Sequence, residues 1–149
     1  MMILVGLVAA LFFGTLVEYL LHRAMHEWGF FTARHWYHHK VNHAHDWLWD
    51  AFCYYLPLST PLLLIGLLGG FYFFVGWCVG DLVFCFILSA CHYIQHHHPR
   101  KVFWMRYPIH KLHHRCRKAD RCYNYGIVTC WWDHVFGTYH VPKVTNARQ

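Results

Sequence analysis

Residues 71–97 read FYFFVGWCVGDLVFCFILSACHYIQHH, and the character of this run determines the fold class. It contains one acidic residue, Asp81, ends in histidines and otherwise consists mainly of apolar side chains. As a helix rising about 1.5 Å per residue, it is long enough to cross the roughly 30 Å hydrocarbon core of a bilayer. The run therefore predicts a transmembrane helix.

Two further apolar runs precede this helix. Residues 1–21 are almost wholly apolar and also reach spanning length. Residues 55–68 form a shorter run, which Gly69-Gly70 separates from the helix that follows. The sequence thus predicts an all-α integral membrane protein with about three transmembrane helices. A single re-entrant excursion between residues 51 and 94 is the alternative, since non-helical backbone is tolerated at membrane depth where protein buries it.

Composition agrees with a membrane protein. The 149 residues are sized for one domain, 1–149, and 57% hydrophobic against 13% charged residues is unlike an ordinary soluble chain. A net charge of +6 is compatible with binding to nucleic acid or to an anionic membrane surface, and the apolar runs favour the membrane. Residues 1–21 lack a basic start and a small-residue cleavage site, so we expect a retained span rather than a signal peptide.

The basic residues predict the orientation of the spans. All 13 Lys and Arg lie in residues 21–41 or after Pro99, and basic segments flanking spans remain cytoplasmic. We therefore expect a cytoplasmic helical cap formed by residues 22–50 and 99–149. The membrane would be the endoplasmic reticulum in a eukaryote or the cytoplasmic membrane in a bacterium.

The cysteines are seven, an odd number without paired spacing. Cys78, Cys85 and Cys91 lie within an apolar run, and Cys116 and Cys122 lie in the basic C-terminal segment. We expect all of them to be reduced, with no disulfide framework.

The 16 histidines are the most unusual feature of the sequence, and most occur in tight groups. Two pairs are spaced i, i+4, which places both rings on one side of a helix, and two triplets follow His-x-x-His-His. We predict that these clusters supply the metal ligands His22, His26, His35, His38, His39, His92, His96, His110, His113 and His114. The others are interpreted as surface or packing residues: His43, His45, His97, His98, His134 and His140.

Clustered imidazoles need a cation. They repel one another when protonated and lose solvation when buried neutral. Ten ligands can fill two five- or six-coordinate metals, whereas one metal would leave most of them unused. Imidazole suits Fe, Zn, Cu or Ni, so ligand type leaves the metal open. The chain has no Cys-x-x-Cys or His-Glu-x-x-His pattern, and all-histidine ligation favours two redox metals over structural zinc.

Acidic residues are candidates for orienting the ligand rings. Five acids could take this role, namely Glu18, Asp46, Asp50, Asp81 and Asp133. We predict it for Glu18 and Asp133, with Glu18 the better candidate, and no catalytic residue beyond the metal ligands. Asp81 lies inside a span, where an ionisable group indicates function. The alternative for Asp81 is a polar turn residue near the outer surface.

In these motifs the sequence resembles the fatty acid hydroxylase superfamily of membrane di-metal enzymes, which includes sterol desaturases. The resemblance rests on Glu18-Tyr19 with His22-Arg23, the His-x-x-His-His at His35, His92-Tyr93 with His96-His97, and the His-x-x-His-His at His110, in the family's order. The segment from Asn124 to Thr138 resembles the family's closing segment. The details are closest to the fatty acyl 2-hydroxylases.

The resemblance implies two iron ions, with zinc as a replacement in purified protein, and oxygen-dependent hydroxylation of a fatty acyl chain taken from the bilayer. A sterol or other lipid oxidase or desaturase of the superfamily is the alternative. A membrane metal-binding or transport protein is the non-enzyme alternative, but the histidine clusters lie at one end of the spans rather than along a path through the membrane.

Three departures from the acyl hydroxylases qualify this comparison. The first histidine pair, His22 and His26, encloses three residues instead of four, and the chain has one predicted span fewer. No cytochrome b5 module precedes the first span, so we expect electrons from a separate reductase, cytochrome b5 or ferredoxin.

Overall fold

The structure is a computed structural model that describes residues 1–29, 32–116 and 121–141. These residues form helices and loops, with no strand among them. We number the helices α1 (Met2–Glu27), α2 (Thr32–Val41), α3 (Trp47–Leu67), α4 (Phe71–His97), α5 (Ile109–His113) and α6 (Trp131–Val135). Three of them, α1, α3 and α4, are long and apolar enough to cross a membrane. The predicted all-α membrane architecture is confirmed.

Helices α1 and α4 form the centre of the fold, and small residues let them approach closely. A Cβ atom on Gly6 would collide with the carbonyl oxygen of Phe73, and one on Gly76 with that of Ile3. Close backbone approach of this kind is a main source of helix association within lipid. The two helices therefore hold their ends, and the histidines on them, at one level.

Helix α3 is irregular. It begins at Trp47 rather than near residue 55, because the Asp46 carboxylate caps it by accepting hydrogen bonds from the backbone N–H groups of Leu48 (2.9 Å) and Trp49 (3.4 Å). A π-helical turn at Ala51–Tyr55 precedes Pro57, and a 3-10 turn follows at Thr60–Leu62. Proline removes a backbone donor and crowds the preceding turn, which accounts for these local changes of pitch.

A tight turn joins α3 to α4. Gly70 has a φ of 79°, a conformation that glycine adopts without steric cost. The chain thus makes two full helices, and the re-entrant alternative is not what the structure shows.

The C-terminal segment from Arg121 to Val141 packs across the ends of α1 and α4 that carry the histidines, which we call the histidine end. Tyr19 and Tyr125 are fully buried there. Tyr19 shares a hydrogen bond of 2.9 Å with the Thr138 hydroxyl, and Trp132 donates to the Thr15 hydroxyl at 2.9 Å. These contacts fix the segment against α1.

One prediction about the cysteines is wrong. Cys116 and Cys122 form a disulfide, with Cα atoms 5.4 Å apart. The two cysteines are bonded although their spacing matches no recognised motif. Cys53, Cys78, Cys85, Cys91 and Cys130 are free thiols.

Candidate metal centre

The clustered histidines converge at the histidine end into two adjoining groups. The first histidine group consists of His22, His26, His35, His39 and His113, and the second of His38, His96, His110 and His114. Within each group, every member offers a ligand atom that lies within 4.8 Å of those of all the others. The structure thus brings nine of the ten predicted ligands into two sets.

The tenth predicted ligand, His92, adjoins the second group. Its Nε2 lies 3.1 Å from the Nε2 of His38, and its Nδ1 lies 3.9 Å from the Asp50 carboxylate. A carboxylate facing the outer nitrogen of an imidazole is a common arrangement around metal sites.

Each His-x-x-His-His triplet is divided between the groups, although the spacing alone suggests a single stripe. In α2, His35 and His39 enter the first group and His38 the second. At α5 the division is reversed: His110 and His114 enter the second group, and His113 the first. The groups touch where the rings of His39 and His114 stack, with centroids 4.2 Å apart.

The distances between ring nitrogens fit metal coordination. In the first group, Nε2 of His113 lies 2.9 Å from Nε2 of His26 and 3.1 Å from that of His39. In the second, Nε2 of His110 lies 3.2 Å from that of His96 and 3.1 Å from that of His114. For metal–nitrogen bonds of about 2.0–2.1 Å, ligands at right angles have nitrogens about 3.0 Å apart.

Backbone carbonyls determine which nitrogen of several rings faces the groups. The Nδ1 atoms of His22, His113 and His38 contact the carbonyl oxygens of Tyr125, Tyr123 and His43. A carbonyl only accepts, so Nδ1 must donate and the Nε2 lone pair points inward. The inward Nε2 of His22 is buried without a hydrogen-bond partner. Lone pairs facing one another at this range repel unless a cation lies between them, so the donor set fits a metal.

Burial keeps the histidines of α2 and α5 in the neutral form that binds metals. It lowers the pKa of His38 to about 4 and, with the neighbouring His26 and His38, that of His39 to about 3. Burial also lowers the pKa of His113 well below its usual value, with a further contribution from His22. Neutral imidazoles can bind a cation at pH 7 without first releasing protons.

The two predicted orienting acids contact the C-terminal segment rather than a histidine ring. Asp133 accepts hydrogen bonds from the backbone N–H groups of Tyr125 (2.8 Å) and Gly126 (2.9 Å) and from the Thr138 hydroxyl (2.8 Å). Glu18 accepts from the N–H of Ile127 at 2.7 Å. Both acids therefore influence the histidines indirectly: they hold the backbone around Tyr125, and the Tyr125 carbonyl contacts His22.

Asp50, one of the five acids that the sequence offers for orienting a ligand ring, faces His92, as described above. A second polar residue of the centre, Gln95, was not singled out from the sequence. Gln95 is fully buried, donates to the Ile127 carbonyl at 2.7 Å and accepts from the His110 backbone N–H at 2.9 Å. An amide beside His96 in an apolar helix is the signal that could have indicated such a role.

The remaining histidines lie outside both groups. His97 contacts the Ala44 carbonyl at 3.0 Å, and His134 stacks on Tyr139 with ring centroids 4.0 Å apart. The interpretation of all six as packing or surface residues stays a prediction.

A cavity of about 540 Å³ opens from the histidines into the spans. Its histidine wall includes His22, His92 and His110, and the remaining wall consists mainly of apolar residues such as Phe84 and Leu88, with a few polar side chains among them. The volume lies in the range of small-molecule sites.

Comparison with known proteins agrees with this geometry. The family model described as fatty acid hydroxylase matches residues 7–138, which include all ten clustered histidines. The chain belongs to the fatty acid hydroxylase family. No curated protein and no solved structure matches it.

The fatty acid hydroxylase family is a family of membrane enzymes, and the histidine groups of this chain suggest a metal cofactor. The short first pair, His22 and His26, still brings both rings into the first histidine group. Cys122 lies beside this pair, with its Sγ 3.3 Å from Nδ1 of His26.

Proposed function

We propose that this fatty acid hydroxylase family member is a di-iron, dioxygen-dependent hydroxylase whose substrate is the fatty acyl chain of a membrane lipid. The observation that carries the proposal is the pair of histidine groups, which together line the end of an apolar cavity within the spans. A metal store or carrier has no need of such a cavity, whereas an oxygenase must bring a hydrocarbon to its metals.

The histidines and the apolar wall of the cavity would have different roles in the reaction. Nine clustered histidines hold the two metals, and His92 completes the second site or orients the substrate beside it. Two bound irons would supply the reductive activation of dioxygen and the cleavage of an unactivated C–H bond. The apolar wall would position the acyl chain and exclude water, which prevents side reactions of reactive intermediates.

The mouth of the cavity suits the polar head of a lipid. Arg34 and Tyr54 both line it, and the Arg34 guanidinium lies over the Tyr54 ring, 3.8 Å from its centroid. The aromatic contact orients a cation that can pair with an anionic head. An acyl chain entering sideways from the bilayer would then extend past the histidines.

Electrons would come from a separate donor protein. One oxygen atom enters the lipid and the other leaves as water, and this balance needs two electrons and two protons for each turnover. Arg106, Lys111 and Arg115 are exposed near the histidine end and offer a basic surface to an acidic reductase, cytochrome b5 or ferredoxin.

Lipid profiling under labelled oxygen tests the proposal. Cells would express the wild type, His113→Ala or the matched control His134→Ala together with a competent reductase, and the purified proteins would be analysed for metal. We expect two irons per chain and ¹⁸O-labelled hydroxy acyl lipids for the wild type and His134→Ala. For His113→Ala we expect loss of iron and at least a hundredfold loss of product.

An iron-loaded wild type that yields no oxygen-dependent product would overturn the enzyme assignment. A labelled sterol in place of an acyl product would overturn the substrate assignment alone. Circular dichroism of His113→Ala shows whether loss of product reflects loss of metal or loss of fold.

A further inference from the structure

The far end of the cavity carries a polar pair within the spans. Asp81 of α4 is 6% exposed, and its carboxylate accepts a hydrogen bond of 2.8 Å from the Ser59 hydroxyl of α3. Ser59 is the one hydrogen-bond donor to Asp81 among the described residues. Asp81 is therefore a mid-helix residue, not the polar turn residue near the outer surface that its sequence also allowed.

The pair lies deep in the spanning region. Asp81 precedes His92 by eleven residues on one helix, which places it about 16 Å from the level of that histidine. Its neighbour Gly80 packs against Leu7 and Ala10, in the middle of the apolar run of α1. An ionisable side chain at this depth is costly, and such residues typically face a cavity or a substrate path.

Ser59 and Asp81 line the same cavity as the histidines. Between the two ends, the wall is formed by apolar side chains such as Phe84, Leu88 and Leu58. The cavity is thus polar at the histidines and Glu18, mainly apolar beyond them, and polar again where Ser59 meets Asp81.

We propose that Ser59 and Asp81 form a binding subsite for a hydroxyl group on the substrate, at the end of the cavity remote from the histidines. This inference rests on the proposed function, because it assigns the second end of the same substrate. The substrate class is a lipid whose hydrocarbon chain already carries an oxygen far from the position of oxidation.

Hydrogen-bond capacity identifies the ligand as a hydroxyl. A carboxylate has about four acceptor positions, of which Ser59 occupies one, and the Ser59 oxygen can itself accept. A plain hydrocarbon end would leave these positions without partners in an apolar surrounding, which costs free energy. A hydroxyl can donate to Asp81 and is uncharged, so it can pass along the apolar wall. A site that forms hydrogen bonds to a hydroxyl discriminates strongly against analogues without that hydroxyl.

A binding series separates this role from a purely structural link between α3 and α4. Zinc-loaded wild type in nanodiscs would be titrated with octadecanoic acid and with octadecanoic acids that carry one hydroxyl at successive chain positions. Displacement of a fluorescent fatty acid gives each affinity. We expect one acid of the series, with its hydroxyl toward the methyl end, to bind at least tenfold more tightly than the unsubstituted acid.

The double variant Ser59→Ala/Asp81→Leu replaces both polar partners by apolar groups, which preserves folding better than leaving one unpaired. We expect it to lose the preference for the hydroxyl while binding octadecanoic acid within twofold of the wild type. Leu82→Ala, on the exposed side of α4, is the matched control and should keep the preference.

The inference is overturned if the wild type shows no preference for any hydroxyl position, or if the double variant retains the preference. Size-exclusion profiles and zinc content confirm that each variant is folded. Zinc-loaded protein performs no turnover, so a failure of the oxygenase proposal leaves this readout unchanged. Conversely, labelled acyl products without a hydroxyl preference would refute the subsite alone.

Discussion

At the scale of single residues, the centre is defined by which nitrogen each imidazole turns inward. Backbone carbonyls at Tyr123 and Tyr125 hold the outer nitrogens of His113 and His22. The inner Nε2 of His113 lies 2.9 Å from that of His26, a distance that suits a shared metal. The i, i+4 pairs could be predicted from spacing because a helix places those positions on one face. The division of each triplet could not, since it depends on two groups approaching the same helix from different sides.

This division predicts separable metal losses. We expect His39→Ala to lose the metal of the first histidine group and His110→Ala that of the second, so that each retains about one metal where the wild type binds two. The reason is that each variant removes one ligand from one group only. Elemental analysis of purified protein measures the ratio, and His45→Ala, exposed and outside both groups, should match the wild type. Loss of both metals in either variant would show that the groups act as one site.

At the scale of elements, the C-terminal segment positions the histidines from outside the helical bundle. Asp133 is fully buried and accepts hydrogen bonds from two backbone N–H groups and one hydroxyl, all within eight residues of it. The sequence indicated the helices from hydropathy, but it could not show that a short irregular segment supplies the carbonyls behind His22 and His113. The contact between His22 and the Tyr125 carbonyl joins residues 103 positions apart, whereas that between His113 and the Tyr123 carbonyl joins residues 10 apart.

Asp133→Asn tests this element. The asparagine NH₂ group would replace one of the carboxylate oxygens and face the backbone N–H of Tyr125 or Gly126. That buried N–H would lose its acceptor, which lowers the free energy of unfolding by about 1–3 kcal/mol. We expect faster hydrogen exchange at residues 125 and 126 and weaker retention of metal on dialysis against a chelator. Asp46→Asn is the control, because asparagine caps a helix about as well as aspartate does. Unchanged exchange in Asp133→Asn would contradict the positioning role.

At the scale of the whole molecule, three spans follow from length and hydropathy, and the structure agrees with them. The irregular course of α3 was harder to predict, because prolines indicate a break without indicating whether the helix continues beyond it. It does continue, and the broken helix provides Ser59 and the residues near Pro57 for the cavity wall. The cavity that suggests a lipid substrate thus arises from the span that hydropathy described least well.

Two signals disagree about which side of the membrane the histidine end faces. All 13 Lys and Arg place it in the cytoplasm, whereas the Cys116–Cys122 disulfide is of a kind that is rare there. Charge acts during insertion, before any disulfide can form, so we expect the histidine end to be cytoplasmic and this disulfide to be reducible in cells.

Labelling with a membrane-impermeant thiol reagent decides between these signals. Leu68→Cys, 87% exposed at the turn between α3 and α4, should react in intact cells or sealed vesicles of matching orientation, whereas Arg100→Cys should react only after permeabilisation. The wild type provides the background from its own cysteines. The reverse pattern would place the histidines, and any electron donor that serves them, on the opposite side, where the disulfide would persist and the basic surface could not meet a cytoplasmic reductase.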